Sequence, residues 1–167
     1  MNHWLSSMTY LKAQNHAVIL ETLNRQSESY GLSLSQSALE RLLQHRVEIL
    51  SDTKRIEFGE GVLGKLIVAF CDSPYIVQGD YEETLLELQE LFYLFKNECY
   101  DLVSDDELIG AMRLIYNGVA KGSVAYLSGI DWKTMYQIAV TSSISGTELE
   151  EPLFDGFGGG EDDESFS

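Results

Sequence analysis

Between Asp80 and Val103 the apolar residues Leu85, Leu88, Phe92, Phe95, Cys99 and Leu102 recur in alternating steps of three and four. That spacing places them on one stripe of an α-helix. Leu86, Leu91, Tyr93, Leu94 and Tyr100 fall outside the stripe, so the helix is apolar on more than one face. A helix of that kind is enclosed by its neighbours. The expected fold is therefore all-α, a compact multi-helix bundle around a central buried helix at about residues 80–103. A cofactor stripe would require ligand-type histidines or paired carboxylates among these positions, and the stripe carries neither.

The flanking segments read as helices with defined ends. A first helix is predicted from about Asn15 to Ser29 through Val18, Ile19, Leu20 and Leu23, with Gly31 in the position of a C-terminal cap. The turn LSLSQSALE then offers two overlapping starts. Ser35 with Leu34 and Leu39 makes a hydrophobic staple, whereas Ser37 with Glu40 makes a capping box. Either opens a helix through Leu39, Leu42, Leu43, Val47 and Leu50 that ends near Ser51. Residues 53–61 form a loop, with a short extended piece at Arg55-Ile56-Glu57-Phe58.

Asp80 with Glu83 marks the start of the central helix, and Val103 to Leu108 combines both start devices. There Ser104 and Glu107 form the box and Val103 and Leu108 the staple, so a new helix begins and runs to Asn117 and Gly118. Asp101, Asp105, Asp106 and Glu107 stand at its N-terminus, where the helix dipole favours negative charge; this is a plainer cause than a cation site. Shorter helices are expected around Ser123 to Leu127 and Asp131 to Ala139.

Charge limits the partners. The formal net charge is -16, from 27 acidic and 11 basic residues. Glu148, Glu150, Glu151, Asp155, Glu161, Asp162, Asp163 and Glu164 all follow Gly146, with no base among them. Phosphate binding needs clustered Lys and Arg, so direct nucleic-acid binding is not expected. The same glycine-rich end has too little apolar surface to offset the entropy of ordering, which predicts a disordered acidic tail. The domain organisation follows as an N-terminal extension over 1–14, a helical domain over 15–140 and a flexible acidic Gly-rich tail over 141–167.

The longest apolar run, Leu66 to Cys71, is far shorter than the roughly 18 residues of a membrane span. The opening MNHWLSSMTYLKAQ lacks the basic and apolar blocks of a secretory signal, so a cytoplasmic location is expected and no membrane association. Cys71 and Cys99 read as reduced core residues. His3, His16 and His45 make no zinc-helix pair, so neither metal nor cofactor is expected.

Gly59-Glu60-Gly61-Val62-Leu63-Gly64-Lys65 has the spacing of a phosphate-binding loop. Such a loop follows a buried strand and ends in a Ser or Thr that holds magnesium. Here Leu66 follows Lys65, and the preceding DTKRIEF is charged and alternating. The segment reads instead as a glycine-bearing turn opening a short buried helix, which Ser73-Pro74 terminates.

The blocks RIEFGEG, KLIVAFCDSPYI, ELFYLFKNECYDLVSDDELI and GSVAYLSG, spread over about His16 to Gly129, resemble those of a small uncharacterised bacterial cytoplasmic domain family of unknown function. The resemblance implies a bacterial cytoplasmic protein and brings no catalytic or binding residues with it. From the residues themselves, the expected function is a non-enzymatic helical module or accessory subunit that docks on another protein. Phe154 and Phe157 would anchor the tail, with Glu161, Asp162, Asp163 and Glu164 steering it to a basic surface. The alternatives are an enzyme site among Glu57, Glu60, Lys65, Asp72 and Tyr75, near the turns of 57–75, and an acidic nucleic-acid mimic. The sequence carries no indication of oligomeric state.

Overall fold

The computed structural model describes residues 3–59 and 61–145, with side chains described over 15–142 apart from Glu60. Among them are seven α-helices, and no strand occurs among the described residues: α1 (His3–Ser27), α2 (Gln36–Thr53), α3 (Leu63–Phe70), α4 (Tyr81–Glu98), α5 (Asp105–Asn117), α6 (Val124–Ser128) and α7 (Trp132–Ser145). The fold is all-α, as the periodicity requires. The chain divides into two units, Met1–Tyr93 and Leu94–Ser167, with α4 running through the division. In the first unit α1 packs on α2 and α3, and in the second α5 packs on α6 and α7. No helix among the described residues is long and apolar enough to cross a membrane.

Helix starts are set by short polar side chains. Ser35 caps α2 by accepting from Ala38 N, while Leu34 and Leu39 are both buried, so the staple and not the Ser37 box decides this end. Ser104 and Glu107 form the reciprocal box at α5 over buried Val103 and Leu108. Ser123 caps α6 through Tyr126 N. Asp131 does the same for α7, accepting from Thr134 N and from its hydroxyl at 3.0 Å each, and these bonds hold its carboxyl below the usual carboxylate range.

At the other ends, α1 passes into a 3-10 turn, Glu28–Tyr30, closed by Gly31 at φ 77°. It begins at His3 and not near Asn15, and α7 extends past Ala139 to Ser145. The residues from 146 onward, with Phe154, Phe157, Glu161, Asp162, Asp163 and Glu164, lie outside the described residues.

The central stripe is buried at Leu85, Leu88, Phe92, Phe95 and Cys99, and Leu86, Leu91 and Tyr93 are buried beside it. The sixth expected member, Leu102, is 67% exposed. Periodicity carries the helix too far here because α4 stops at Glu98, and Tyr100 and Asp101 both turn left-handed at φ 55° and 57°. For side chains other than glycine this costs about 1–2 kcal/mol per residue. The buried Lys96 holds the turn, donating to Val103 O at 2.5 Å and pairing with Asp105 Oδ1 at 2.8 Å.

Phe92 is fully buried, its ring edge-on to Tyr93 with centroids 5.1 Å apart. Phe92→Ala is expected to lower unfolding free energy by about 3–5 kcal/mol in denaturant melts. A loss under about 1 kcal/mol would mean that the stripe is not core.

Candidate functional site

The stripe by which α2 faces the interior of its unit is Leu39, Leu42, Arg46 and Leu50, so a cation occupies a position where the spacing calls for an apolar residue. Val47, which the sequence pattern puts on the apolar face, is 53% exposed instead. Arg46 is only 5% exposed, and a guanidinium removed from water must find acceptors. Its Nη1 donates to Gly59 O at 2.7 Å, its Nε donates to Tyr93 Oη at 3.3 Å, and its Nη2 lies 3.5 Å from Glu57 Oε1 as an ion pair. Tyr93 in turn donates to Glu57 Oε1 at 2.7 Å. Arg55 Nε approaches the other carboxylate oxygen, at 3.6 Å. One carboxylate, one phenol and two guanidiniums thus close the loop between α2 and α3 onto α2 and α4.

Space for this network comes from Gly61. Its φ is 67°, and a methyl group there would lie 2.3 Å from Arg46 Nε and 2.9 Å from Tyr93 Oη. The glycine spacing that suggests a phosphate loop is therefore used to admit the protein's own arginine. The apolar run after it is the short helix α3, buried through Leu63, Leu66, Ile67 and Phe70, and Lys65 is exposed.

The network also decides what the loop shows to solvent. Arg55 and Glu57 turn toward the network and are half-buried, whereas Ile56 and Phe58, which alternate with them, turn out. They are 84% and 90% exposed. Chemically the inward groups are occupied with one another: burial pushes the Tyr93 hydroxyl up to about 12, the Glu57 carboxylate adds to this, and Arg46 opposes it. A phenol that holds its proton so firmly is a poor acid–base catalyst near neutral pH.

Of the residues that the sequence groups near 57–75, Glu57 belongs to this network. Asp72 and Tyr75 are exposed, and Glu60 lies outside the described residues. Arg46 and Tyr93 were missed because their partners are distant in the chain. The available signal was an arginine at i,i+4 spacing between Leu42 and Leu50, and a phenol inside the apolar run LFYLF that needs a partner once buried.

A second feature of the same unit is an open groove of about 540 Å³ between α2 and α4, with Arg41, His45 and Glu48 on one side and Glu83, Glu87 and Glu90 on the other. Among the described residues no three His, Cys, Asp or Glu side chains gather as a metal site.

A family model, described as a family of unknown function (DUF6323), matches residues 19–142. The chain belongs to that family. The matched span includes all of the network, from Arg46 to Tyr93, so DUF6323 takes in the loop and both helices that hold it. No curated protein and no solved structure matches the chain.

Two expected outcomes test the network. Gly61→Ala should lower stability by more than Gly59→Ala, because both need a positive φ but only Gly61 meets side chains; the excess is expected at about 1–3 kcal/mol in chemical denaturation. Equal losses would place Arg46 elsewhere. In pH titration, the folded state holds the Tyr93 proton more tightly than the unfolded state, whose phenol releases it near pH 10. That stabilisation is complete below pH 10 and is lost as pH rises toward 12, so the native protein should weaken more steeply over this window than Tyr93→Phe. Parallel profiles would contradict the assignment.

Proposed function

We propose that the protein is a non-enzymatic helical module, an accessory subunit that docks on another protein by placing Ile56 and Phe58 in an apolar pocket of that partner. The observation that carries this reading is the exposure of two large apolar side chains, 84% and 90%, on a segment whose intervening polar residue is tied down on the inward side. Burying such side chains gains about 1.5–3 kcal/mol each, and a loop held in place beforehand loses little further freedom on binding. The inward groups support the same conclusion, since Arg46, Glu57 and Tyr93 bond to one another and hold the loop.

A cytoplasmic setting fits Cys71 and Cys99, which are buried free thiols. A bacterial source rests on the resemblance of the four sequence blocks. In the same reading the acidic end of the chain contributes Phe154 and Phe157 as anchors, with Glu161, Asp162, Asp163 and Glu164 steering it to a basic partner surface.

The test is purification of the full chain from its native host, in parallel with an Ile56→Ser/Phe58→Ser variant, followed by mass spectrometry. A stoichiometric protein partner should accompany the native chain and be lost from the variant, whose helicity and unfolding midpoint stay the same. A partner retained equally by both would rule out the loop as the docking element, and a small molecule retained without any protein would favour an enzyme.

A further inference from the structure

On the wall of the groove between α2 and α4, a buried amide fixes which nitrogen of His45 carries the proton. Gln89 of α4 is fully buried, and its Nε2 donates to Leu42 O at 3.1 Å. A carbonyl only accepts, so the amide atom that faces it is the nitrogen. The same Nε2 lies 3.4 Å from His45 Nδ1, which must therefore accept and carry no proton. The ring proton of the neutral imidazole then sits on Nε2, 3.7 Å from Glu90 Oε1. Gln89 Oε1 is buried and has no hydrogen-bond partner among the described residues.

A second proton on the ring breaks this arrangement. Protonated Nδ1 is a donor, and it would face the N–H that now donates to it. Turning the amide over gives no relief, because Oε1 would then face the carbonyl oxygen of Leu42 and the NH2 group would take the buried position that offers Oε1 no partner. The ring has another way out. The His45 side chain is 27% exposed and lines the groove, where Glu83, Glu87 and Glu90 of α4 and Glu48 of α2 stand around it. The cation that would oppose it there, Arg41, is paired with Glu82. An imidazolium is drawn toward carboxylates so placed.

We propose that His45 is a proton-operated gate on the groove between α2 and α4. Neutral, its ring is held against Gln89 and leaves the groove open. Protonated, the ring releases Gln89 and moves into the groove among Glu90, Glu87 and Glu48, so that a buried hydrogen bond between the two helices is exchanged for an ion pair at the surface. Histidine is the side chain whose charge ordinarily changes between about pH 5 and pH 8, which sets the range in which the gate works. The proposal does not rest on the Ile56–Phe58 loop.

The experiment follows the full chain by NMR from about pH 8 to about pH 5, with nitrogen labels in the histidine rings and the side-chain amides. His45→Gln identifies the His45 ring against those of His3 and His16. At the upper end Nδ1 is expected as an unprotonated ring nitrogen, with NOEs between the ring and the Gln89 amide hydrogens. As Nδ1 takes up its proton these NOEs should vanish and new ones to the Glu90 and Glu87 side chains appear, while the Gln89 amide resonances shift with the same midpoint. In Gln89→Leu, where nothing holds the neutral ring, the ring NOEs should not change with pH. A proton on Nδ1 at the upper end, a protonated ring that stays against Gln89, or a Gln89 amide that turns over in place would each overturn the proposal, and the native chain alone decides these three. Movement of the ring with pH that persists in Gln89→Leu would overturn it as well.

Discussion

Arg46 is a charge placed on the buried stripe of a helix, and the loop that follows α2 is shaped by the need to satisfy it. An unanswered guanidinium in the interior would cost several kcal/mol, far more than one helix can offset. Its hydrogen bonds go to Gly59 O in the loop and to Tyr93 Oη on α4, and Glu57 in the loop balances its charge as an ion pair at 3.5 Å. Meeting them draws the loop against both helices and requires a residue without Cβ at Gly61. With Arg55 and Glu57 drawn inward by the network, their neighbours Ile56 and Phe58 are left on the outward side. The exposed pair is thus a consequence of the buried charge.

The second unit uses a lysine for a related purpose. Lys96 is a single cationic point that reaches one carbonyl and one carboxylate, where Arg46 uses a planar fork to reach a carbonyl, a phenol and a carboxylate. The geometry follows the chemistry. The lysine fixes a tight turn of a few residues with Tyr100 and Asp101 left-handed, and the arginine organises a longer loop that starts at Lys54 with φ 58° and takes its other positive φ values at Gly59 and Gly61, where they cost no strain. In both units a buried cation holds backbone in place while adjacent apolar side chains remain in water.

Much of the helical framework was legible because its causes are local. The stripe from Leu85 to Cys99 and the Ser104–Glu107 box each depend on residues within a turn or two of one another, and both are realised. The start of α2 was ambiguous in sequence because Ser35 and Ser37 are both competent caps; burial of Leu34 and Leu39 selects Ser35. Leu102 was misplaced because periodicity alone does not register a left-handed turn at non-glycine residues. The network at Glu57 was only half legible. Its position at a functional-looking turn could be read, and so could the glycine-bearing turn that opens the short buried helix, but Arg46 and Tyr93 join through contacts that no local pattern encodes, so the room that Gly61 leaves for an arginine was not legible.

The central claim is that the buried network holds the 55–58 segment in one conformation, and backbone order parameters from nitrogen relaxation measure this directly. The account predicts values of about 0.85 at Ile56 and Phe58 in the native protein, as for rigid backbone, falling below about 0.6 in Arg46→Met, where the apolar stripe of α2 is preserved and the acceptors lose their cation. Values already below about 0.6 in the native protein, or unchanged by Arg46→Met, would contradict it.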